Sequence, residues 1–323
     1  MSSDVITPSQ KIPRRRTYRW VIIAIGILLI LGTFIALFVV YFTRYQRTQQ
    51  TRLSYPDFNC SDRSCGCPNR TKKQSLISKI VGGEEASPYI YPWLVTLTDR
   101  LRVDPFCAGF IISSNAILTA AHCLKDRNPK QVQILARIHD LRDFQGNRYD
   151  IEQWIIHPDY HVNDSMHLND IALIRISTDF AEDLRPCCLP PTQSSAYPRA
   201  KTEAVVGGWG KVSIKSASRN SPVLQHVVMP IVDHRNNKCR QSISDKHRQV
   251  CAGYDSLPID SCSGDSGAPL LVVEHDHQQG YFVAAGLVSY GNKQCDASIS
   301  SGVYTRVSFY HDWISKNLVN KYA

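Results

Sequence analysis

The sequence Gly-Asp-Ser-Gly-Ala-Pro at residues 264–269 is the most informative segment of the chain, together with two shorter segments upstream of it. These are Thr-Ala-Ala-His-Cys at residues 119–123 and Asn-Asp-Ile-Ala-Leu at residues 169–173. Singly, each segment has an ordinary structural explanation: a hydrogen-bonded core histidine, a turn aspartate before a strand, and a tight glycine loop. Together, in this order, they supply an imidazole, a carboxylate and a hydroxyl, so we consider the three segments as one constellation of candidate catalytic groups.

The constellation lies in a region of short apolar runs separated by turn residues, which begins at Ile80. Runs of this length and spacing predict an all-β domain, either a sandwich or a pair of barrels. One helical pattern is predicted at the end of the chain, over residues 310–319. The predicted strands cover residues 93–97, 109–112, 116–119, 132–135, 171–176, 204–206, 270–273, 282–288 and 302–307.

A run without charged residues, from Trp20 to Phe42, precedes this domain. Its 23 residues form a helix of roughly 34 Å, enough to cross a bilayer core. A cleaved signal peptide and a buried core helix are the alternatives, but signal sequences have shorter apolar regions. We therefore predict a cytoplasmic tail at 1–19, expected to be disordered, a transmembrane signal-anchor at 20–42 and a stem or propeptide at 43–79.

Three further observations bear on topology. The short leading segment carries five Lys and Arg residues, which favours a cytoplasmic N-terminus. All 11 cysteines follow the apolar run, as expected for disulfides in an oxidising compartment. The sequons at Asn59, Asn69 and Asn163 lie on the same side. Much of the net charge of +9 comes from the N-terminal segment, so it does not indicate nucleic-acid binding.

Residues 80–323 resemble the trypsin-like serine proteases of the chymotrypsin family, and the whole chain resembles the type II transmembrane members. The resemblance includes the three segments above, Ile-Val-Gly-Gly at 80–83, Gly-Trp-Gly at 208–210 and Gly-Val-Tyr at 302–304. It implies two packed antiparallel β-barrels with a C-terminal helix.

The resemblance also implies roles for single residues. His122 would be the base, Asp170 its orienting carboxylate and Ser266 the nucleophile. The backbone N–H groups of Gly264 and Ser266 would form the oxyanion hole.

By the same resemblance, Asp260 lies at the floor of the specificity pocket and selects Lys or Arg. Ser261 and Ser289 would line that pocket, while Gly291 and Gly302 would leave room for a long basic side chain.

Activation would follow cleavage between Lys79 and Ile80. The new ammonium at Ile80 would pair with Asp265 and shape the oxyanion loop. Because Lys79 fits the expected specificity, autoactivation is compatible with the sequence.

The family pattern further implies particular disulfides. These are Cys107–Cys123, Cys239–Cys251, Cys262–Cys295 and a bond from Cys188 to Cys65 or Cys67, with Cys65 preferred. Since 11 is odd, at least one cysteine is unpaired within the chain, and Cys187 is the candidate. A metal-binding reading of the stem Cys-Gly-Cys at 65–67 is disfavoured by the compartment.

The expected protein is thus a serine endopeptidase that cuts after Arg or Lys, with no metal and no cofactor. Gln145 and Arg148 stand where calcium-binding relatives carry carboxylates. Expected partners are protein substrates, protein protease inhibitors and, through residues 20–42, the lipid bilayer of the plasma membrane, with shedding left open. The competing hypotheses are a purely secreted protease and an inactive homologue that serves as a membrane-anchored binding module.

Overall fold

The structure is a computed structural model, and the chain divides into two compact units, residues 1–51 and 52–323. The residues it describes are 14–48, 52–53, 64–68, 76–77, 83–100, 102–143, 146–191, 194, 196–210, 220–254, 264–276, 279–291 and 301–319.

The first unit contains one long helix, α1 (Arg14–Thr48). Within it, Ile22–Phe42 is long and apolar enough to cross a membrane, with a mean hydropathy of 3.0. The helix extends beyond the predicted span at both ends. The tail expected to be disordered up to residue 19 is therefore helical from Arg14, and the stem is helical as far as Thr48. The basic residues that flank the apolar run are good helix formers, so the helix continues past the apolar stretch.

The second unit is mostly β-structure. The strands are β1 (Arg52–Leu53), β2 (Leu76–Ile77), β3 (Glu84–Glu85), β4 (Leu94–Asp99), β5 (Arg102–Ser113), β6 (Ala116–Thr119), β7 (Val132–Ala136), β8 (Asn147–Ile156), β9 (His161–Asn163), β10 (Met166–Leu168), β11 (Ala172–Ile176), β12 (Glu203–Gly208), β13 (Gln225–Val232), β14 (Gln249–Ala252), β15 (Pro269–Asp276), β16 (Gln279–Tyr290) and β17 (Gly302–Arg306). Helix α2 (Asn237–Ser242) lies between β13 and β14, and α3 (His311–Val319) follows β17. Single 3₁₀ turns occur at Ala121–Cys123, Pro129–Gln131 and Val307–Tyr310.

Two antiparallel barrels form the body of this unit, as predicted. The first is closed in the order β11-β6-β5-β4-β7-β8. The second has the order β12-β15-β16-β17-β14-β13, which the pairing of β12 with β13 closes, and β3 adds to β13 from outside. Closure leaves few unpaired strand edges, which suits strands this short.

The core explains why the apolar runs became strands. All five residues of β11 are buried. One face of the strand points into the barrel, and neighbouring segments of the chain cover the other face. Trp93 and Phe282, both fully buried, come from different barrels, and their rings lie 5.7 Å apart. This contact joins the two barrels into one core.

The sequence patterns missed the barrel strands β8, β13 and β14, the short strands β1, β2, β3, β9 and β10, and the helix α2. In β8 the polar residues Arg148, Asp150 and Glu152 alternate with more buried ones, since only one face of the strand meets the core. The short helix α2 lacks an apolar stripe and begins instead at Asn236, whose side chain accepts hydrogen bonds from the amides of Lys238 and Cys239.

Candidate active site

His122 lies in the 3₁₀ turn that follows β6, so the first barrel holds its backbone. The disulfide between Cys107 and Cys123 ties this turn to β5. The imidazole is about a fifth exposed, at 22%. The backbone of His122 is therefore held in place, while its ring remains accessible to a substrate.

Asp170 lies two residues before the start of β11, and its side chain is fully buried, at 0% exposure. One carboxylate oxygen accepts the backbone N–H of His122 at 2.9 Å. The other accepts His122 Nδ1 at 2.8 Å and the hydroxyl of Ser289 at 2.5 Å. Because a carboxylate can only accept, Nδ1 of His122 must carry the proton, which leaves Nε2 free to act as a base.

The surroundings favour the charged forms of both partners. Burial acts to lower the pKa of His122, but the charge and hydrogen bond of Asp170 raise it above its ordinary value. Burial acts to raise the pKa of Asp170, but His122 and the hydroxyl of Ser289 hold it below its usual range. The carboxylate therefore stays ionised at neutral pH and stabilises a proton on His122.

Ser266 lies in the loop before β15, close to the turn of His122. Its carbonyl oxygen accepts the backbone N–H of Ala108 at 2.8 Å. The sulfur of Cys123 lies 3.7 Å from His122 Nε2 and 3.7 Å from the carbonyl oxygen of Ser266. Within the part of the chain that the structure describes, His122 Nε2 and the Ser266 hydroxyl share no hydrogen bond. Such bonds are commonly long without substrate and shorten when it binds.

The loop that carries Ser266 includes a half-buried carboxylate, that of Asp265. Asp265 accepts the backbone N–H of Gly210 at 2.7 Å. A Cβ atom at Gly208 would lie 2.0 Å from an oxygen of Asp265, and one at Gly210 would lie 2.3 Å from its other oxygen. Gly264 has a φ of +107°, a conformation that favours glycine. Sequence reasoning recognised the Gly-Trp-Gly motif but not that it makes room for Asp265.

Three of the residues predicted to line the pocket lie in the part of the chain that the structure describes. Ser289 lies near the end of β16, and its hydroxyl donates to Asp170. Gly291 is exposed just after this strand, and Gly302 is buried in β17 opposite Ala252.

Several predicted site residues lie outside the described residues. These are Asp260, Ser261, Lys79, Ile80, Cys262, Cys295, Asn59, Asn69 and Gln145. Asn163, the remaining sequon, is exposed in β9.

The structure contains the predicted disulfides Cys107–Cys123, Cys239–Cys251 and Cys65–Cys188. Cys67 is also disulfide-bonded, and Cys187 is a buried free thiol. The stem residue Gly66 bridges two segments of the body: its N–H donates to Pro186 and its carbonyl accepts from Phe282, each at 2.9 Å.

Two contacts of the site were not anticipated from the sequence. Thr305 donates its hydroxyl to the backbone carbonyl of Asp170 at 2.8 Å. His167, in the hairpin of β9 and β10, lies with its ring centroid 5.1 Å from that of His122. The contact of Thr305 joins segments that are distant in the sequence, and the position of His167 depends on a hairpin turn. A local sequence pattern predicts neither contact.

Two six-stranded antiparallel barrels followed by a C-terminal helix are the chymotrypsin fold. The model of the trypsin family matches residues 80–314. A venom protease of Bombus pensylvanicus is 36% identical over 246 residues, covering 72% of this chain and 96% of its own. CLIP domain-containing serine protease B4 of Anopheles gambiae is 33% identical, covering 75% and 71%. Chymotrypsin-C of Bos taurus is 32% identical, covering 79% and 94%. The chain belongs to the trypsin family of serine proteases.

Proposed function

We propose that this protein is an endopeptidase that cuts after Arg or Lys, made as a membrane-anchored zymogen, with His122, Asp170 and Ser266 as its catalytic triad. The observation that carries the proposal is the 2.8 Å hydrogen bond from Nδ1 of the accessible His122 to the fully buried Asp170, beside the loop of Ser266. An inactive homologue would not need to keep a fully buried carboxylate aimed at an accessible histidine.

The chemistry follows from these contacts. Ser266 Oγ attacks the scissile carbonyl carbon while His122 Nε2 takes its proton, and Asp170 stabilises the resulting imidazolium. The carbonyl oxygen becomes an oxyanion, which accepts hydrogen bonds from the N–H groups of Gly264 and Ser266. His122 then donates the proton to the leaving amine as the C–N bond breaks. Water repeats the sequence on the acyl-enzyme and restores Ser266.

The specificity rests on Asp260. A carboxylate at the floor of a narrow pocket is costly to bury unless a basic side chain pairs with it. Ser289 and Gly302, at the pocket positions implied by the resemblance, come from the neighbouring strands β16 and β17.

Activation by cleavage between Lys79 and Ile80 would supply an ammonium for Asp265. The covalent bond between Cys65 and Cys188 would then keep residues before the cut attached to the protease domain. The contacts of Gly66 support this arrangement, since they seat the stem against the body beside that bond.

The apolar part of α1 supports a single-pass type II arrangement at the plasma membrane, with residues 1–19 cytoplasmic, 20–42 in the bilayer, 43–79 as stem and 80–323 outside. In that arrangement the disulfides form in the oxidising compartment. Protein substrates and protein protease inhibitors with Arg or Lys at the cleavage site are the expected partners.

Cleavage of a random peptide library by the protein cut after Lys79 tests the proposal. Arg and Lys should dominate the position before the cut. Asp260→Ser should reduce kcat/KM on an Arg-amide substrate by roughly 30- to 5,000-fold, the cost of truncating one partner of a buried charge pair. Asp276→Ser, at an exposed position of the same barrel, is the matched control and should leave the rate unchanged. Full activity of Asp260→Ser on this substrate would contradict the assigned specificity.

A further inference from the structure

Three side chains of metal-ligating type converge beside the ring of His122. One ligand atom each of His122, His167 and Asp170 lies within 4.8 Å of those of the other two. The rings of His122 and His167 meet edge to face, with centroids 5.1 Å apart. A tetrahedral zinc ion bound by two imidazoles holds their nitrogens roughly 3.4 Å apart. The two rings therefore lie at a spacing compatible with one shared ion.

The hydrogen bonds of the two rings leave a nitrogen of each available. His122 donates Nδ1–H to Asp170, which leaves the lone pair of Nε2 free. Nδ1 of His167 lies 2.9 Å from the hydroxyl oxygen of Tyr160, which can accept Nδ1–H. Metal-bound histidines usually donate their other ring N–H to a carboxylate or another oxygen in this way. The hydrogen-bond partner of Nδ1 therefore fixes the orientation of each ring, as it does for metal-bound histidines.

Packing also fixes the ring of His167. The ring centroid of Tyr290 lies 5.6 Å from that of His167, so the position of His167 beside His122 does not depend on its contact with Tyr160 alone.

We propose that Nε2 of His122 and Nε2 of His167 bind one Zn²⁺ ion, which reversibly inhibits the enzyme. Asp170 remains hydrogen-bonded to His122 behind the metal, and water completes the coordination. Imidazole suits Zn²⁺, whereas Mg²⁺ and Ca²⁺ prefer oxygen ligands. The ion occupies the nitrogen that must take the proton of Ser266, so zinc and catalysis are mutually exclusive. This consequence rests on the proposed role of His122 as the base, whereas the binding itself does not.

Calorimetric titration of full-length Ser266→Ala protein in detergent with Zn²⁺ tests the binding without any catalytic activity. One zinc ion should bind per chain. Adding His167→Ala should weaken the affinity by at least about tenfold. Tyr160→Phe should weaken it by about tenfold, since loss of the group that orients a metal-bound histidine commonly costs 10- to 100-fold. His161→Ala removes a neighbouring exposed histidine of β9 and should change nothing.

Inhibition by zinc is measured on the cleaved wild-type enzyme and on each cleaved variant. Each rate with zinc is compared with the metal-free rate of the same protein. Zinc should inhibit the wild type and His161→Ala equally, a chelator should restore the rate, and His167→Ala should need at least about tenfold more zinc. Unchanged zinc affinity in His167→Ala, or binding lost equally in His161→Ala, would overturn the metal site. If the enzyme proved inactive, calorimetry would still decide the site, so the two proposals fail separately.

Discussion

Asp170→Asn tests how the buried carboxylate controls the base. Asp170 accepts three hydrogen bonds, from the N–H and Nδ1 of His122 and from the hydroxyl of Ser289. An amide of the same shape has one oxygen that can accept and one NH₂ group that can only donate, so the NH₂ group must face at least one of these donors. His122 then carries its proton on Nε2, where it cannot take one from Ser266. Loss of the correct tautomer costs a triad about 10⁴-fold in kcat, which is about 5.4 kcal/mol in activation free energy.

The same change should move the pH profile. In the wild type, His122 must be neutral to act as a base, and its pKa is raised above 6.5. Activity should therefore be lost as pH falls through a midpoint above that value. In Asp170→Asn the raising influences are gone, and burial alone lowers the midpoint.

The assay for both effects is kcat/KM on an Arg-amide substrate as a function of pH, with active-site titration to count competent enzyme. Circular dichroism should show that the variant is folded. A rate within tenfold of the wild type, or an unchanged midpoint, would refute the role given to Asp170.

Three more predictions address activation, the loop and topology. Lys79→Gln should stay a single chain with little turnover when exposed to trypsin-like activators, and wild-type rates from protein shown by mass spectrometry to be uncut would exclude the zymogen mechanism. Gly210→Ala should lower kcat by about 10²-fold or more, because the new methyl group would lie 2.3 Å from Asp265. Gly207→Ala, whose Cβ would have 3.4 Å to its nearest neighbour, is the control, and equal rates in the two would remove the steric argument. Enzymatic deglycosylation of membrane-bound protein should lower its mass if Asn163 is outside, and protection of the protease domain from added protease on intact cells would reverse the topology.

The barrels were predictable because their strands are mostly apolar on the faces that pack. The run at residues 116–119 gave β6 with the correct ends, since all four residues are buried. β13 was missed, since Pro230 interrupts its pattern, although the strand continues through this residue. Runs of apolar residues indicate which strands are buried. They do not predict a strand whose sequence mixes polar and apolar residues and which forms because it pairs with its neighbours in the sheet.

The candidate site also contains residues that the sequence identified and contacts that it did not predict. His122, Asp170 and Ser266 lie in short recognisable segments, so sequence located them. The hydroxyl of Ser289 on Asp170 joins residues 119 positions apart, and the approach of His167 to His122 depends on the hairpin turn at Asp164 and Ser165, both with positive φ. Such contacts follow from tertiary packing, which no local pattern encodes.

If His122 and Asp170 activate Ser266, the activation can be measured as the rate at which an organophosphonate probe labels the enzyme. Mass spectrometry of the cleaved enzyme should locate one label per enzyme molecule, on Ser266. His122→Ala should slow labelling by orders of magnitude, and Ser266→Ala should abolish it. A label on another residue, or equal rates in the wild type and His122→Ala, would show that His122 does not activate Ser266.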